Sequence, residues 1–455
     1  MKFQLRAFFL SLVLMVVAAS ASASVVAIID SGTDMLHKDI YPKAWVNPIE
    51  IPNNQRDEDR NGYQDDVNGW NFAEGNNQLI DYKYLPYFTA DVKQFFAVQA
   101  KALMGTATKE EIAWMRAKFD DADFVKTLTT YGNFMHGTHV AGIASKDADD
   151  AKILAVKLIP TEVSLPVPGA NEKATESGDV GITLLKAGLG QLAKQQMKLM
   201  EEIALYINGH KADVANGSFG TGFEQAKTIV QTLFKTIMRR EPTETEADDM
   251  TMYFMTTLIR EGSHMVLAAP NTLFVFAAGN DGSDNDKFPS SPTNIRAANT
   301  IAVAATMGVG KLAVFSNYGA SMVDVAAPGV AIRSTVPGNQ YLEVSGTSQA
   351  APYVTNVAGR IKDANKNLGP AEIKNIILKT VDVKDYLKGK VLSEGLVNEQ
   401  RAVRAAELSV SISMQRALQQ AREEVQDQTS DLDKSMGPVE SIGDFVLPLP
   451  SPFKF

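Results

Sequence analysis

A chain of 455 residues with 45% hydrophobic and 21% charged residues has the make-up of a folded globular protein, with length enough for a large core. Its 44 basic residues stand against 53 acidic ones, a net charge of −9 with no basic stripe, which excludes the electrostatic footprint of a nucleic-acid binder. There is no cysteine, so disulfides contribute nothing to stability.

The chain opens with a leader. Lys2 and Arg6 precede the apolar run 7–19, too short for a comfortable bilayer span, and Ala21-Ser22-Ala23 has the small-x-small form of a cleavage site. We read residues 1–23 as a signal peptide and expect export to a secreted, periplasmic or cell-envelope location. No later run of 18 apolar residues occurs, so no stable membrane span is expected after cleavage. Residues 25–29 then form a continuous apolar run ending at Asp30-Ser31-Gly32, the pattern of a strand buried on both faces. Similar runs recur at 153–158, 214–216, 273–278, 300–305 and 322–326. Between them fall a helical spacing at 196–208 (Met200, Ile203, Ala204, Ile207) and a proline-led helix at 370–380. Strands alternating with helices predict an α/β fold with a mostly parallel central sheet. Two stretches, near 78–131 and 223–264, read as helical insertions. Thr108 and Glu111 make a capping-box pattern opening a helix through about Lys118, and the second insertion breaks near Pro242. Residues 24–407 are therefore one α/β domain, and 408–455 a terminal helix, expected over 415–425, followed by an aperiodic tail.

Four motifs carry chemistry. "VVAIIDSGTD" puts Asp30 at the C-terminal end of a buried strand, the edge at which open α/β sheets bind ligands. "MHGTHVAGIAS" places His136 at the start of a helix whose small residues permit close packing. "FVFAAGNDG" ends a strand at Asn280, whose amide can donate to a developing oxyanion. "SGTSQAAP" reads as a loop turning into a helix with Ser348 at its N-terminus, where unpartnered N–H groups favour negative charge. Each motif alone has a plain structural reading: a turn aspartate, a packing histidine, an Asn-Asp-Gly turn, a helix cap. Together, in the order Asp, His, Asn, Ser, they supply a nucleophile, its base, the carboxylate that orients the base, and an oxyanion donor for acyl transfer. The order, and Ala350 where the second glycine would stand, do not fit the Gly-x-Ser-x-Gly elbow of an α/β-hydrolase esterase.

These segments, with "KADVANGSFG" (211–220), "FSNYG" (315–319), "VAAPGVAI" (325–332) and "EGLVNEQRAV" (394–403), resemble the subtilisin-like serine proteases, or subtilases, from about residue 25 to 404. The resemblance implies a three-layer subtilisin-like fold and a serine endopeptidase acting on protein or peptide substrates. It implies that Asp30 orients His136, that His136 is base and then acid, that Ser348 is the nucleophile, and that Asn280 stabilises the oxyanion with the Ser348 N–H. His139 is then structural, and Asp34 is not the orienting acid. Ser218, Phe219 and Gly220 are expected to pair with the substrate backbone, the side chain preceding the scissile bond entering between them and Ala277, Ala278 and Gly279. The alternative is a catalytically silent subtilase-like scaffold with a binding role.

Three departures add expectations. Gln349 follows the nucleophile where the family very often has methionine, so mild peroxide should not inactivate the site. Asp30 lies six residues after Ser24, leaving no room for a pro-region behind the leader. The tail, with its extended segment "FVLPLPSPFKF", is then either a cap over the cleft or edge, or a disordered or cell-envelope-linking tail. "DEDRNGYQDD" sets Asp57, Asp59, Asn61 and Asp65 like the first part of a calcium loop, although Asn68 stands where the closing glutamate would. The chemistry requires no cofactor, and the two readings of this loop are a structural Ca²⁺ site and a solvated turn around Asn61-Gly62. Asp281, Asp284 and Asp286 read as a solvated loop.

Overall fold

The computed structural model describes residues 23–148, 150–162, 179–429 and 446–451. The leader expected over 1–23 therefore lies, but for Ala23, outside the described residues.

The apolar runs become strands. In chain order the elements are β1 (Val25–Asp30), β2 (Gly69–Asn71), α1 (Ala90–Leu103), α2 (Lys109–Phe119), α3 (Ala122–Ala144), β3 (Lys152–Lys157), α4 (Asp179–Gly209), β4 (Val214–Gly217), α5 (Phe223–Met238), α6 (Glu244–Ala268), β5 (Leu273–Ala277) and β6 (Thr300–Met307). They continue with β7 (Lys311–Leu312), β8 (Val325–Pro328), β9 (Ile332–Val336), β10 (Gln340–Val344), α7 (Thr347–Ala364), α8 (Pro370–Lys379), β11 (Asp382–Val383), β12 (Gly395–Leu396), α9 (Glu399–Ser409) and α10 (Met414–Glu424). The main sheet has the order β11-β12-β8-β6-β5-β4-β1-β3-β2, with β7 added to β6. Every pairing from β12 to β2 is parallel; β11 and β7 pair antiparallel. β9 and β10 form a separate hairpin.

The sheet is buried on both faces, which is why its strands are continuously apolar instead of alternating. Alternate residues still divide between two cores. Val214, Leu273, Val275, Ile301 and Val303 face α7, α8 and the helices of the first insertion. Ala215, Phe274, Phe276, Leu154 and Val156 face α4, α5 and α6. The result is the expected three layers, with a mostly parallel sheet between helices.

The second insertion is the helix pair α5 and α6, interrupted at residues 239–243 around Pro242. The first holds α1, α2 and the beginning of α3. Here the structure corrects the sequence reading. His136 does not open a helix; it sits deep inside α3, which starts at Ala122 with Asp121 as its N-cap. The Asp121 side chain accepts from the N–H groups of Asp123 and Phe124, and no proline interrupts the run that follows, so the inserted helix continues into the His136 motif. The capping box of Thr108 and Glu111 forms as expected.

Candidate active site

β1 and β5 end at the same edge of the parallel sheet, and α7 begins there. Asp30 is the last residue of β1 and is fully buried. His136 reaches it across 106 residues of sequence, its Nδ1 2.7 Å from Asp30 Oδ1. The approach depends on Gly137: a Cβ there would lie 2.2 Å from Gly32 O and 3.1 Å from Asp30 Cβ. Asp30 Oδ1 also accepts from the Ser31 N–H at 2.7 Å, which holds the carboxylate against the strand end.

Ser348 is the second residue of α7, in the first helical turn, where N–H groups lack intrahelical acceptors. Ala350, Ala351 and Pro352 behind it are buried, and their small size lets α7 pack closely over β4, β5 and β6. Ser348 and His136 line one cavity of about 370 Å³, together with Asn280 and Gln349. In this conformation Ser348 Oγ donates to Ser218 O at 3.2 Å, and among the described residues no hydrogen bond joins Ser348 to His136. Oγ is carried on one rotatable bond, and catalytic hydrogen bonds of this kind are often loose before substrate binds.

Asn280 is held with its amide nitrogen toward the cleft. Its Oδ1 accepts from the Thr347 N–H at 2.9 Å and from Thr347 Oγ1 at 2.8 Å, which turns Nδ2 toward the cavity. Thr347 Oγ1 in turn accepts from the Gly279 N–H. Gly279 has φ of +119°, and a Cβ there would lie 2.2 Å from Asn317 Nδ2, so the turn before Asn280 requires glycine. Ala277 O and Ala278 O accept from Thr293 Oγ1 and Asn285 Nδ2, fixing the backbone at the end of β5. Ser218 and Phe219 are buried, with Ser218 Oγ bonded to Ser348 O, and the Gly220 N–H after them donates to Pro450 O. The sequence reading missed Thr347, although it stands inside the "SGTS" motif next to the nucleophile. It offered the tail as a cap over the cleft without naming the residue that reaches it; that residue is Leu447, whose O accepts from Asn280 Nδ2 at 3.0 Å.

The other acidic and histidine residues of the motifs serve structure. His139 is wholly buried, its Nε2 3.0 Å from Leu342 O, and burial pushes its pKa down to about 4. It is therefore neutral near pH 7, an Nε2–H donor tying α3 to β10. Asp34 accepts from Tyr82 Oη and the Gly338 N–H and does not meet His136.

The acidic loop regroups the sequence-predicted ligands. Asp59 comes together with Glu50 and Asp66, one carboxylate oxygen of each lying within 4.8 Å of the others. Asn61 donates from Nδ2 to Asp59 and Asp66, while Asp57 accepts from the Asn61 and Gly62 N–H groups and Asp65 from those of Asn54 and Gln55. Three hard oxygen donors of this type suit Ca²⁺. The residues present at that point are thus Glu50, Asp59 and Asp66, with Asp57 and Asp65 turned to the loop backbone.

Residues 21–402 match the family model described as the subtilase family. Over 136 residues the chain is 40% identical to alkaline elastase YaB of Bacillus sp. (strain YaB), a match covering 30% of this chain and 34% of the relative. It is 41% identical over 132 residues to the thermophilic serine proteinase of Bacillus sp. (strain AK1), covering 29% and 31%. The chain thus spans about a third of the length of these curated relatives. A cold adapted subtilisin-like serine proteinase of known structure aligns over 83% of this chain and 89% of its own, at 17% identity and a TM-score of 0.43.

Proposed function

We propose that this chain, which belongs to the subtilase family, is an exported serine endopeptidase that hydrolyses protein or peptide substrates through an acyl-enzyme. The observation that carries the reading is the 2.7 Å contact between His136 Nδ1 and Asp30 Oδ1, made on the wall of the cavity that Ser348 and Asn280 also line. With Nδ1–H donated to Asp30, the His136 Nε2 lone pair is free to accept a proton. The reading requires the Ser348 side chain to rotate away from Ser218 O and present Oγ to that nitrogen. Oγ then attacks the scissile carbonyl as His136 takes its proton, and the same proton passes to the leaving amine. Asn280 Nδ2 and the Ser348 N–H stabilise the negative oxygen of the tetrahedral intermediate, the first aimed by Thr347 before any substrate arrives. Water, activated by His136, releases the acyl group. Ser218, Phe219 and Gly220 on one side and Ala277, Ala278 and Gly279 on the other form the substrate walls in this reading.

Export rests on Lys2, Arg6, the apolar run 7–19 and Ala21-Ser22-Ala23. Among the described residues no helix is long and apolar enough to cross a membrane.

A catalytically silent scaffold is the second reading, favoured by the bond from Ser348 Oγ to Ser218 O. A fluorophosphonate probe with peptide mapping separates the two. The protease reading expects covalent labelling at Ser348 that disappears in Ser348→Ala and falls steeply in His136→Ala. Absence of labelling on the folded protein, including after the tail has been displaced as below, overturns it.

A further inference from the structure

The tail segment Val446–Ser451 lies across the candidate active site. Leu447 O accepts from Asn280 Nδ2 at 3.0 Å, and Pro450 O accepts from the Gly220 N–H at 3.0 Å. Thr221 Oγ1 and Ser451 Oγ are 3.0 Å apart beyond that point. Val446 and Leu449 are each only 6% exposed and belong to the same apolar core as α7 and the first insertion. Leu447 packs on Gly132 of α3, one turn before His136, where a Cβ would already approach its Cδ1 to 3.0 Å. Leu449 Cδ1 lies over Gly220. Two donors that the protease reading offers a substrate, the Asn280 side-chain amide and the Gly220 N–H, are thus taken by carbonyls of the chain itself.

We propose that residues 446–451 are a built-in competitive inhibitor of this active site, so that the enzyme is latent until the segment leaves the cleft. The inference rests on the protease reading above. Two features make the segment a ligand rather than a substrate. The carbonyl presented to Asn280 belongs to Leu447, and the bond after it is Leu447–Pro448, whose nitrogen carries a ring carbon in place of a hydrogen. Ser348 Oγ, moreover, is bonded to Ser218 O instead of being engaged with His136. The segment does not need high intrinsic affinity. It is covalently attached through residues 430–445, so it competes at an intramolecular effective concentration that free substrate must exceed. Any event that cuts or pulls the chain between 430 and 445 would release the site.

The test uses the full chain. Leu447→Asp combined with Leu449→Asp should eject the segment, because each places a carboxylate where an apolar side chain now packs. The rate of fluorophosphonate labelling at Ser348 is then expected to rise ~10-fold or more over the parent chain, with the apparent KM for a fluorogenic peptide falling and kcat little changed. A synthetic peptide of residues 446–451, added to the double variant, should restore inhibition that competes with substrate. Should the double variant fold poorly, a specific protease site placed within 430–445 and cut after folding releases the segment from an unaltered enzyme. Equal labelling rates before and after release, with no inhibition by the peptide, overturn the proposal while leaving the protease reading intact. A released enzyme that labels nowhere refutes the protease reading instead; direct binding of the peptide to it, by fluorescence anisotropy, still decides whether the segment is a ligand of the cleft, and no binding overturns the strap.

Discussion

Acid should destabilise this protein through His139. The side chain is wholly buried between α3 and the β9–β10 hairpin, and its Nε2–H donates to Leu342 O. Burial, reinforced by the nearby His136, lowers its pKa from 6.5 to about 4. In the unfolded chain the same imidazole takes a proton near pH 6.5. Between those two values the unfolded state binds more protons than the folded one, so stability falls as pH falls. The contribution is fully present above pH 6.5 and is lost progressively down to about pH 4. An interval of about 2.5 pH units, at about 1.4 kcal/mol each, makes the loss between pH 7 and pH 4 about 3 kcal/mol. The assay is urea unfolding in a Ser348→Ala background, which removes self-digestion, measured from pH 7 to pH 4 with His139 and with His139→Gln. Glutamine can keep a donor toward Leu342 O and carries no titrating charge. The His139 protein should lose about 3 kcal/mol more than the glutamine variant across that range. Parallel pH profiles for the two proteins would refute the argument, because they would show that His139 charges as easily folded as unfolded.

Four further outcomes are expected. Asn280→Ala should lower kcat by about 10²–10³, the scale known for a subtilisin oxyanion donor, with a far smaller change in KM in steady-state peptide hydrolysis. Arg401→Ala should cost about 3 kcal/mol in urea unfolding, since the buried Asp382 carboxylate loses the cation that meets it at 2.9 Å and keeps only the neutral donors of Asn398 and Gln428. Gln349, buried beside the nucleophile, should leave activity intact after mild peroxide, and Gln349→Met should make the enzyme peroxide-sensitive. Excess Ca²⁺ should raise the melting temperature above that in EDTA by binding Glu50, Asp59 and Asp66; equal midpoints would remove the ion from the account.

What could be read along the chain was whatever depends on neighbours in sequence. A strand buried on both faces needs a continuous apolar run, so β1, β3, β4, β5 and β6 were visible, and with them a parallel sheet. Asp30 and Asn280 stood out because each follows such a run, and Ser348 because small residues and a proline behind it announce a helix start. The partnership of these residues with Ser218, Thr347 and Leu447 was not legible, since it is set by which strand lies beside which and not by spacing. The start of α3 was misplaced because the inserted helix merges with the motif helix without a breaker, and only the Asp121 cap marks where it begins. The acidic loop shows the same limit: Glu50 and Asp66 join Asp59 through the folding of the loop, while Asp57 and Asp65, closer in pattern, turn to backbone N–H groups. Composition and periodicity therefore determined the layers and the residue types available for chemistry. Tertiary structure alone decided which donors meet which acceptors, including which tail residues reach Asn280 and Gly220, because hydrogen bonds act over about 3 Å and only packing brings residues hundreds of positions apart to that distance.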